Sequence, residues 1–149
     1  MHPYQNQINK MWELIKRKNL AQQNGFWMES LCLSYILLEI ELRLLLSSKA
    51  GAHGVPLPPR KIDSQHYLMN LANLAKDNGF IDESIWKRIK DFNDIRRKAI
   101  HSLAQGEISY EDLKKPALSI SSLIFDIQSC WLPVKIGPEE TYPSSFAHF

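Results

Sequence analysis

An arginine and a histidine near the end of one helical segment are the residues of this chain best suited to carry out chemistry. They are Arg96 and His101, in the segment IRRKAIHSL. A guanidinium stays protonated and binds phosphate through two parallel hydrogen bonds, whereas an imidazole exchanges protons near neutral pH. Side by side, these two groups can stabilise a negative charge and move a proton at the same reacting centre.

Arg96 occupies an unusual position for a charged residue. At about 100° per residue, apolar side chains of its helix form one stripe, and Arg96 falls at the centre of it. The stripe consists of Ile85, Ile89, Phe92, Ala99, Ile100 and Leu103. A guanidinium buried there needs a carboxylate, several acceptors or a wet cleft between subunits, because an unpaired buried cation is costly. Glu39 and Glu41, in the apolar segment SYILLEIELRLLL, are the candidate supporting carboxylates.

His101 follows Arg96 by five residues, which separates the two side chains by about 140° on an ideal helix. We expect them to converge if the helix loosens before Gly106, or if two copies of the segment assemble one site across a two-fold axis. A histidine near a helix C-terminus is otherwise only a favourable charge for the helix dipole. Arg60 and His66 reproduce the spacing across a proline-rich loop, and we interpret that second pair as coincidence.

Basic residues are concentrated around this pair. Between residues 85 and 101 the chain has Lys87, Arg88, Lys90, Arg96, Arg97 and Lys98 against Asp91 and Asp94. Such a local surplus favours a polyanion, and a solvated helix face is the alternative interpretation. The net charge of +2 for the whole chain is too small to indicate a partner.

The elements that must position these residues are helices, because apolar residues recur at helical spacing and no alternation typical of strands is seen. The first helix is predicted over about 5–22, with Ile8 and its neighbours on one side and Lys10, Arg17 and Lys18 elsewhere. The second, over about 26–48, is apolar around most of its circumference and is predicted to be central. Four tryptophans are expected at core positions: Trp12, Trp27, Trp86 and Trp131.

Three further helices are predicted after the Gly- and Pro-rich segment KAGAHGVPLPPRK. The third is capped by Asp63 or Ser64 and ends at Asn78-Gly79. The fourth is capped by Asp82 and continues to about Leu103. The fifth follows a capping box and extends from about Pro116 to Cys130. That capping box is formed by Ser109 and Asp112.

Composition indicates one all-α domain over residues 1–132, followed by an extended tail over 133–149. The chain has 149 residues, of which 44% are hydrophobic. Cys32 and Cys130 have neither zinc-ligand nor disulfide-framework spacing, so we expect a reducing, cytoplasmic compartment. The most apolar segment contains three charged residues, so no membrane span is expected. The absence of a Gly-rich phosphate loop, an HExxH helix or a nucleophile elbow disfavours the common enzyme classes that use them.

Two segments of the chain resemble the HEPN superfamily, helical domains marked by an arginine followed by four to six residues and a histidine. LANLAKDNGFIDESIWKRIKDFNDIRRKAIHSL is similar to the family's helix, short Gly-containing turn and second helix ending in the motif. EIELRLLL is similar to the Glu-led, Leu-rich end of the family's earlier helix. Together these segments cover roughly residues 26–103. The resemblance implies an up-and-down bundle of about five helices.

The resemblance also implies an activity, the metal-independent cleavage of RNA by internal transesterification, as in toxin and phage-defence systems. His101 would move a proton at the ribose 2′-OH or the leaving oxygen, and Arg96 would stabilise the crowded phosphorane. The site would lie in the cleft of a homodimer and need no cofactor or metal. Arg97, Lys98 and Lys90 would guide the RNA backbone.

Two alternatives remain open. Many family members have Asn or Asp directly after the motif arginine, whereas this chain has Arg97, which favours a non-catalytic module that binds RNA or a nucleotide, or a regulatory subunit. An antitoxin or nucleotidyltransferase partner is implied by the resemblance to the toxin branch of the family. That branch typically has a tyrosine two residues after the histidine, and this position is Leu103 here, so modification by such a partner is not carried over to this chain. The other alternative is a helical oligomerisation module in which Arg96 forms a structural ion pair.

Overall fold

The computed structural model describes residues 5–49 and 66–131. Within these ranges the chain forms five α-helices, one 3-10 helix and no strand, which confirms the all-α prediction. The elements are α1 (Gln5–Gln23), α2 (Trp27–Lys49), α3 (Tyr67–Asp77), α4 (Glu83–Ala104), the 3-10 helix Tyr110–Leu113 and α5 (Lys114–Gln128). Arg60, the proposed caps Asp63 and Ser64, and the predicted tail over 133–149 lie outside the described residues.

The central position predicted for α2 is confirmed. α2 contacts each of the other four α-helices, and its side chains supply much of the core. Its fully buried leucines are Leu31, Leu37, Leu38, Leu42, Leu45 and Leu46. A helix that is apolar on most sides becomes stable only when neighbours cover those sides, so α2 organises the bundle.

Polar contacts hold α4 between α3 and α5. On one flank, Trp86 Nε1 donates a hydrogen bond to Asn73 Oδ1 of α3 at 2.7 Å. On the other flank, Arg88 Nη1 lies 2.6 Å from Asp126 Oδ2 of α5. These two contacts fix the rotation of α4, so that Ile89 is buried toward the core and the opposite face is exposed to solvent.

The helix ends agree closely with the sequence signals, with two corrections. α3 begins at Tyr67, and His66 at its N-cap makes no side-chain capping bond. α5 begins at Lys114, two residues before the predicted start at Pro116, and ends at Gln128. Pro116 is tolerated in the first turn of α5 because backbone N–H groups there have no acceptor within the helix.

The predicted capping box before α5 is present, because the backbone N–H of Ser109 donates to Asp112 Oδ2 at 2.8 Å. The tryptophan prediction is confirmed for Trp12 and Trp27, which are buried. Trp86 and Trp131 are only partly buried, since their indole N–H groups bond to polar partners at the edge of the core. None of the helices described is both long and apolar enough to cross a membrane.

The N-terminus of α4 provides a stability test. Asp82 accepts a hydrogen bond from the backbone N–H of Ile85 at 2.8 Å, and its charge lies at the positive end of the helix dipole. We expect Asp82→Ala to lower the free energy of unfolding by about 1 kcal/mol in urea titrations. The control is Asp91→Ala, which removes an exposed aspartate in the middle of the same helix. Equal effects of the two substitutions would contradict a capping role.

Candidate functional site

Arg96 lies at the inner edge of α4, where an aromatic ring and an amide hold it. Its guanidinium carbon is 4.0 Å from the centre of the Tyr35 ring, which is a cation–π contact. Its Nη2 donates to Asn93 Oδ1 at 3.4 Å, a long hydrogen bond. Its Nε is buried without a hydrogen-bond partner. Arg96 therefore keeps part of its donor capacity unused.

The structure pairs neither Glu39 nor Glu41 with Arg96. Among the described residues no carboxylate oxygen lies within 4.0 Å of the Arg96 guanidinium. Glu41 faces α5 because it is rotated by about 120° around α2 from Tyr35, the residue that meets Arg96. Glu39 is buried on α2 as well. The predicted role of these two residues as supporting carboxylates of Arg96 is therefore not seen in the single chain.

Glu41 instead belongs to a buried network between α2 and the end of α5. Its Oε1 accepts from Gln128 Nε2 at 2.8 Å, and its Oε2 accepts from Trp131 Nε1 at 3.1 Å. The residue has no exposed surface, and this burial raises the pKa of the Glu41 carboxyl to about 8, although both hydrogen bonds act in the opposite direction. Glu41 therefore links helices rather than serving the site.

His101 lies on the outer face of α4 and is exposed. The side-chain nitrogen of Gln105 lies 3.1 Å from its Nε2, so that a neutral imidazole accepts a hydrogen bond there. Five residues separate it from Arg96, so the two side chains leave the helix in directions about 140° apart. Within one chain, Arg96 faces the bundle and His101 faces solvent.

The last turn of α4 is regular, so a loosened helix end cannot bring the side chains of Arg96 and His101 together. Glu107 N–H donates to Ser102 O at 2.9 Å and Gly106 N–H donates to Leu103 O at 3.1 Å, the two bonds of a Schellman motif. Gly106 supplies the left-handed conformation that the motif needs, with φ of 74°. The helix does not loosen before Gly106, so a second copy of the chain is the remaining route.

His101 shares its face with the basic residues that follow Arg96. On α4 it lies about 40° from Arg97 and about 60° from Lys98. These side chains surround a shallow depression of about 440 Å³. The depression is lined by Asp94, Arg97, Lys98 and His101. Lys90 is on the same face, where its Nζ lies 3.5 Å from Asp94 Oδ2 and part of its charge is offset.

This outer face can bind an anion and exchange a proton with it. Arg97 and Lys98 are exposed cations without an ion-pair partner among the described residues, so both are available to phosphate oxygens. The exposed imidazole of His101 supplies the proton-exchanging group beside them. Residues 5–49 and 66–131 contain no cluster of three potential metal ligands. Cys32 and Cys130 form no disulfide bond with any residue that the structure describes.

The core contains one charged residue that was predicted to lie off the apolar side of α1. Lys18 is 1% exposed, and its Nζ donates to Ser121 Oγ of α5 at 2.8 Å. Burial lowers the pKa of the Lys18 ammonium to about 8. The signal in the sequence was its register, because Lys18 continues the line through Ile8, Met11 and Ile15 at intervals of three or four residues.

Comparison of the chain with protein-family models, with curated proteins and with solved structures finds no match in any of the three. Any role of Arg96 and His101 is therefore inferred only from their geometry and chemistry.

The Glu41 network provides a pH test. The folded state raises the pKa of Glu41 above its unfolded value, so the folded protein binds more protons between about pH 4.5 and 8 and loses stability as pH rises through that range. We expect the wild-type protein to lose on the order of a few kcal/mol of unfolding free energy from this group between pH 5 and 8. Glu41→Gln, which cannot ionise, should lose less over the same range in urea titrations. Identical pH profiles of the two proteins would contradict the assignment.

Proposed function

We propose that this protein is a metal-independent endoribonuclease of the HEPN type that acts as a homodimer. The observation that carries the proposal is the state of Arg96, a partly buried cation held over the Tyr35 ring with no carboxylate partner in the described part of the chain. A phosphate would supply the negative charge that residues 5–49 and 66–131 do not provide for Arg96. The exposed His101, next to Arg97 and Lys98, supports the same substrate class.

The chemistry requires only these side chains, the RNA itself and solvent water. A neutral His101 takes the proton of a ribose 2′-OH, and the 2′-oxygen attacks the adjacent phosphorus. The bond from phosphorus to the 5′-oxygen then breaks, and that oxygen takes a proton from a solvent water as it leaves, while the protonated His101 returns its proton to solvent. Arg96 stabilises the negative charge that develops on the phosphoryl oxygens. The products are a 2′,3′-cyclic phosphate and a 5′-hydroxyl.

The dimer is part of the proposal because one copy presents the two groups on opposite sides of α4. A phosphate bound between two copies can contact Arg96 of one copy and His101 of the second copy. Two-fold symmetry would create two such sites from the same residues. The basic face formed by Lys90, Arg97 and Lys98 would then guide the RNA backbone toward both.

A non-catalytic RNA-binding module is the second candidate, with a regulatory subunit as one form of it. The observation that favours it is the grouping of Arg97, Lys98 and His101 around one depression while Arg96 faces the bundle. Such a face binds a polyanion without any need for Arg96 to reach it. The interpretation of Arg96 as half of a structural ion pair has less support, because no such pair is found in the described residues.

RNA cleavage distinguishes these candidates. We expect the wild-type protein to cut mixed RNA in the presence of a chelator, and His101→Ala and Arg96→Ala each to lower the rate by about 100-fold or more. Arg96→Lys keeps the charge but not the bidentate geometry, so it tests the guanidinium in a protein whose core is less disturbed. The matched controls are His66→Ala and Arg17→Ala, both at exposed positions. Gel analysis should show products that end in cyclic phosphate.

Two results would overturn the nuclease assignment: cleavage that persists in His101→Ala, or wild-type protein that binds RNA and leaves it intact. The second result would identify the non-catalytic binding module.

Binding to RNA can be measured separately from cleavage. Arg97→Ala and Lys98→Ala should each weaken binding of a non-cleavable 2′-deoxy-substituted RNA by about three- to tenfold at low salt. Each should also reduce the slope of log affinity against log salt concentration by roughly 0.7, the value for one phosphate contact on a single strand. Lys115→Ala, at an exposed position on α5, is the control. An unchanged salt slope in both variants would exclude this face as the RNA-binding surface.

A further inference from the structure

One line of α2 side chains is not covered by any other described element. We call it the α2 strip, and it consists of Glu29, Cys32, Ile36, Ile40 and Arg43. These positions fall within about 80° of one another around the helix, opposite the side that packs into the core. All are exposed except Ile40, which is partly buried, and Ile36 retains 41% of its surface.

The two charges at the ends of the α2 strip have no partner in the described part of the chain. Glu29 forms no ion pair or hydrogen bond through its carboxylate, and neither does Arg43 through its guanidinium. They lie fourteen residues apart, which is about 21 Å along a helix and too far for them to meet within one chain. The α2 strip therefore has a carboxylate near one end and a guanidinium near the other.

The residues of the α2 strip are spaced equally on either side of Ile36, and the charges at its two ends are opposite in sign. Cys32 and Ile40 lie four residues to either side of Ile36, and Glu29 and Arg43 lie seven residues to either side. In an antiparallel two-fold contact centred on one residue, every position before the centre faces the equivalent position after it on the other copy. Glu29 would then face Arg43 twice, and Cys32 would face Ile40 twice.

We propose that a second copy of this chain docks on the α2 strip, with the two α2 helices antiparallel and crossing at Ile36. The two Ile36 side chains meet at the axis, and one ion pair closes each end of the contact. A parallel pairing in the same register sets Glu29 against Glu29 and Arg43 against Arg43, and the repulsion of like charges disfavours it. The charge pattern is therefore complementary to a reversed copy of itself.

The proposed contact and the candidate site lie on adjoining faces of α2. Tyr35, whose ring supports Arg96, is the residue before Ile36 and projects about 100° around the helix from it. A second α2 helix that crosses at Ile36 would therefore lie along the face of α2 next to the one that contacts Arg96. In this respect the inference rests on the proposed function, for which the homodimer is the active unit, but the contact itself is measured without RNA.

Site-specific crosslinking tests the crossing point. In a Cys32→Ser, Cys130→Ser background, Ile36→Cys places the two new thiols on the axis, and a short bis-maleimide should join most of the protein into dimers. The control is Leu118→Cys, which puts a thiol at an exposed position on α5. We expect little crosslinking of the control at the same protein concentration. No crosslinking of Ile36→Cys, or equal crosslinking of both variants, would overturn the proposal.

Charge reversal tests the register. Glu29→Arg and Arg43→Glu each replace two attractive pairs with two repulsive ones, and each should raise the dimer dissociation constant by about tenfold in sedimentation equilibrium. The double variant restores opposite charges across the contact and should return to within about twofold of wild type. Glu13→Arg, at an exposed position on α1, is the control. Circular dichroism checks that each variant is folded. The double variant contains both substitutions, so recovery of its dimer affinity would show that misfolding does not cause the weaker dimers of the single variants.

The outcomes separate the interface from the activity. A dimer that responds to charge reversal and recovers in the double variant supports the interface, even if the protein leaves RNA intact and the proposed function fails. A monomeric wild-type protein at 100 µM (roughly the concentration at which a weak dimer forms), or single reversals without effect, overturns the interface. If the protein cleaves RNA as a dimer whose dissociation constant does not change in the charge-reversal variants, the proposed function is supported and only the proposed interface is overturned.

Discussion

The burial of α2 is the constraint on which the rest of the structure depends. Six of its leucines have no exposed surface, and burial of each side chain contributes about 1.5–3 kcal/mol relative to exposure. α2 can be stable in water only when other helices cover it, and α1, α3, α4 and α5 all contact it. α4 lies over this centre with its rotation fixed by contacts to α3 and α5, and that rotation places Arg96 toward the bundle and His101 toward solvent.

Much of this arrangement is predictable from local signals. The capping carboxylate of Asp82 and the left-handed glycine at Gly106 both act on neighbouring backbone groups, so the limits of α4 can be predicted within about one residue. The central role of α2 follows from its composition alone. The 140° between Arg96 and His101 also follows from helix geometry once the helix is known to be regular.

The side-chain partners were harder to predict because they depend on long-range packing. The acidic residues of α2 looked like partners for Arg96, yet Glu41 faces α5, and only the rotation of α2 in the bundle determines this. Tyr35 lies in the apolar segment of α2, and its neighbours in the sequence do not indicate that its ring is the main support of the Arg96 guanidinium. The charge of Lys18 predicts a position away from the core, whereas its register continues the apolar line of α1, and Ser121 of α5 accepts a hydrogen bond from its ammonium.

The docking of α5 has a consequence for the dynamics of the bundle. It is attached partly through two buried ionisable groups, Lys18 to Ser121 and Glu41 to Gln128, and the pKa of each is about 8. As pH rises toward 8 the contribution of Glu41 to stability declines, and only above 8 does that of Lys18 increase as its ammonium loses its proton. The two effects combine to give α5 its weakest attachment near pH 8. Local opening of the bundle in mildly alkaline solution should therefore start at α5, with faster amide exchange there than in α2.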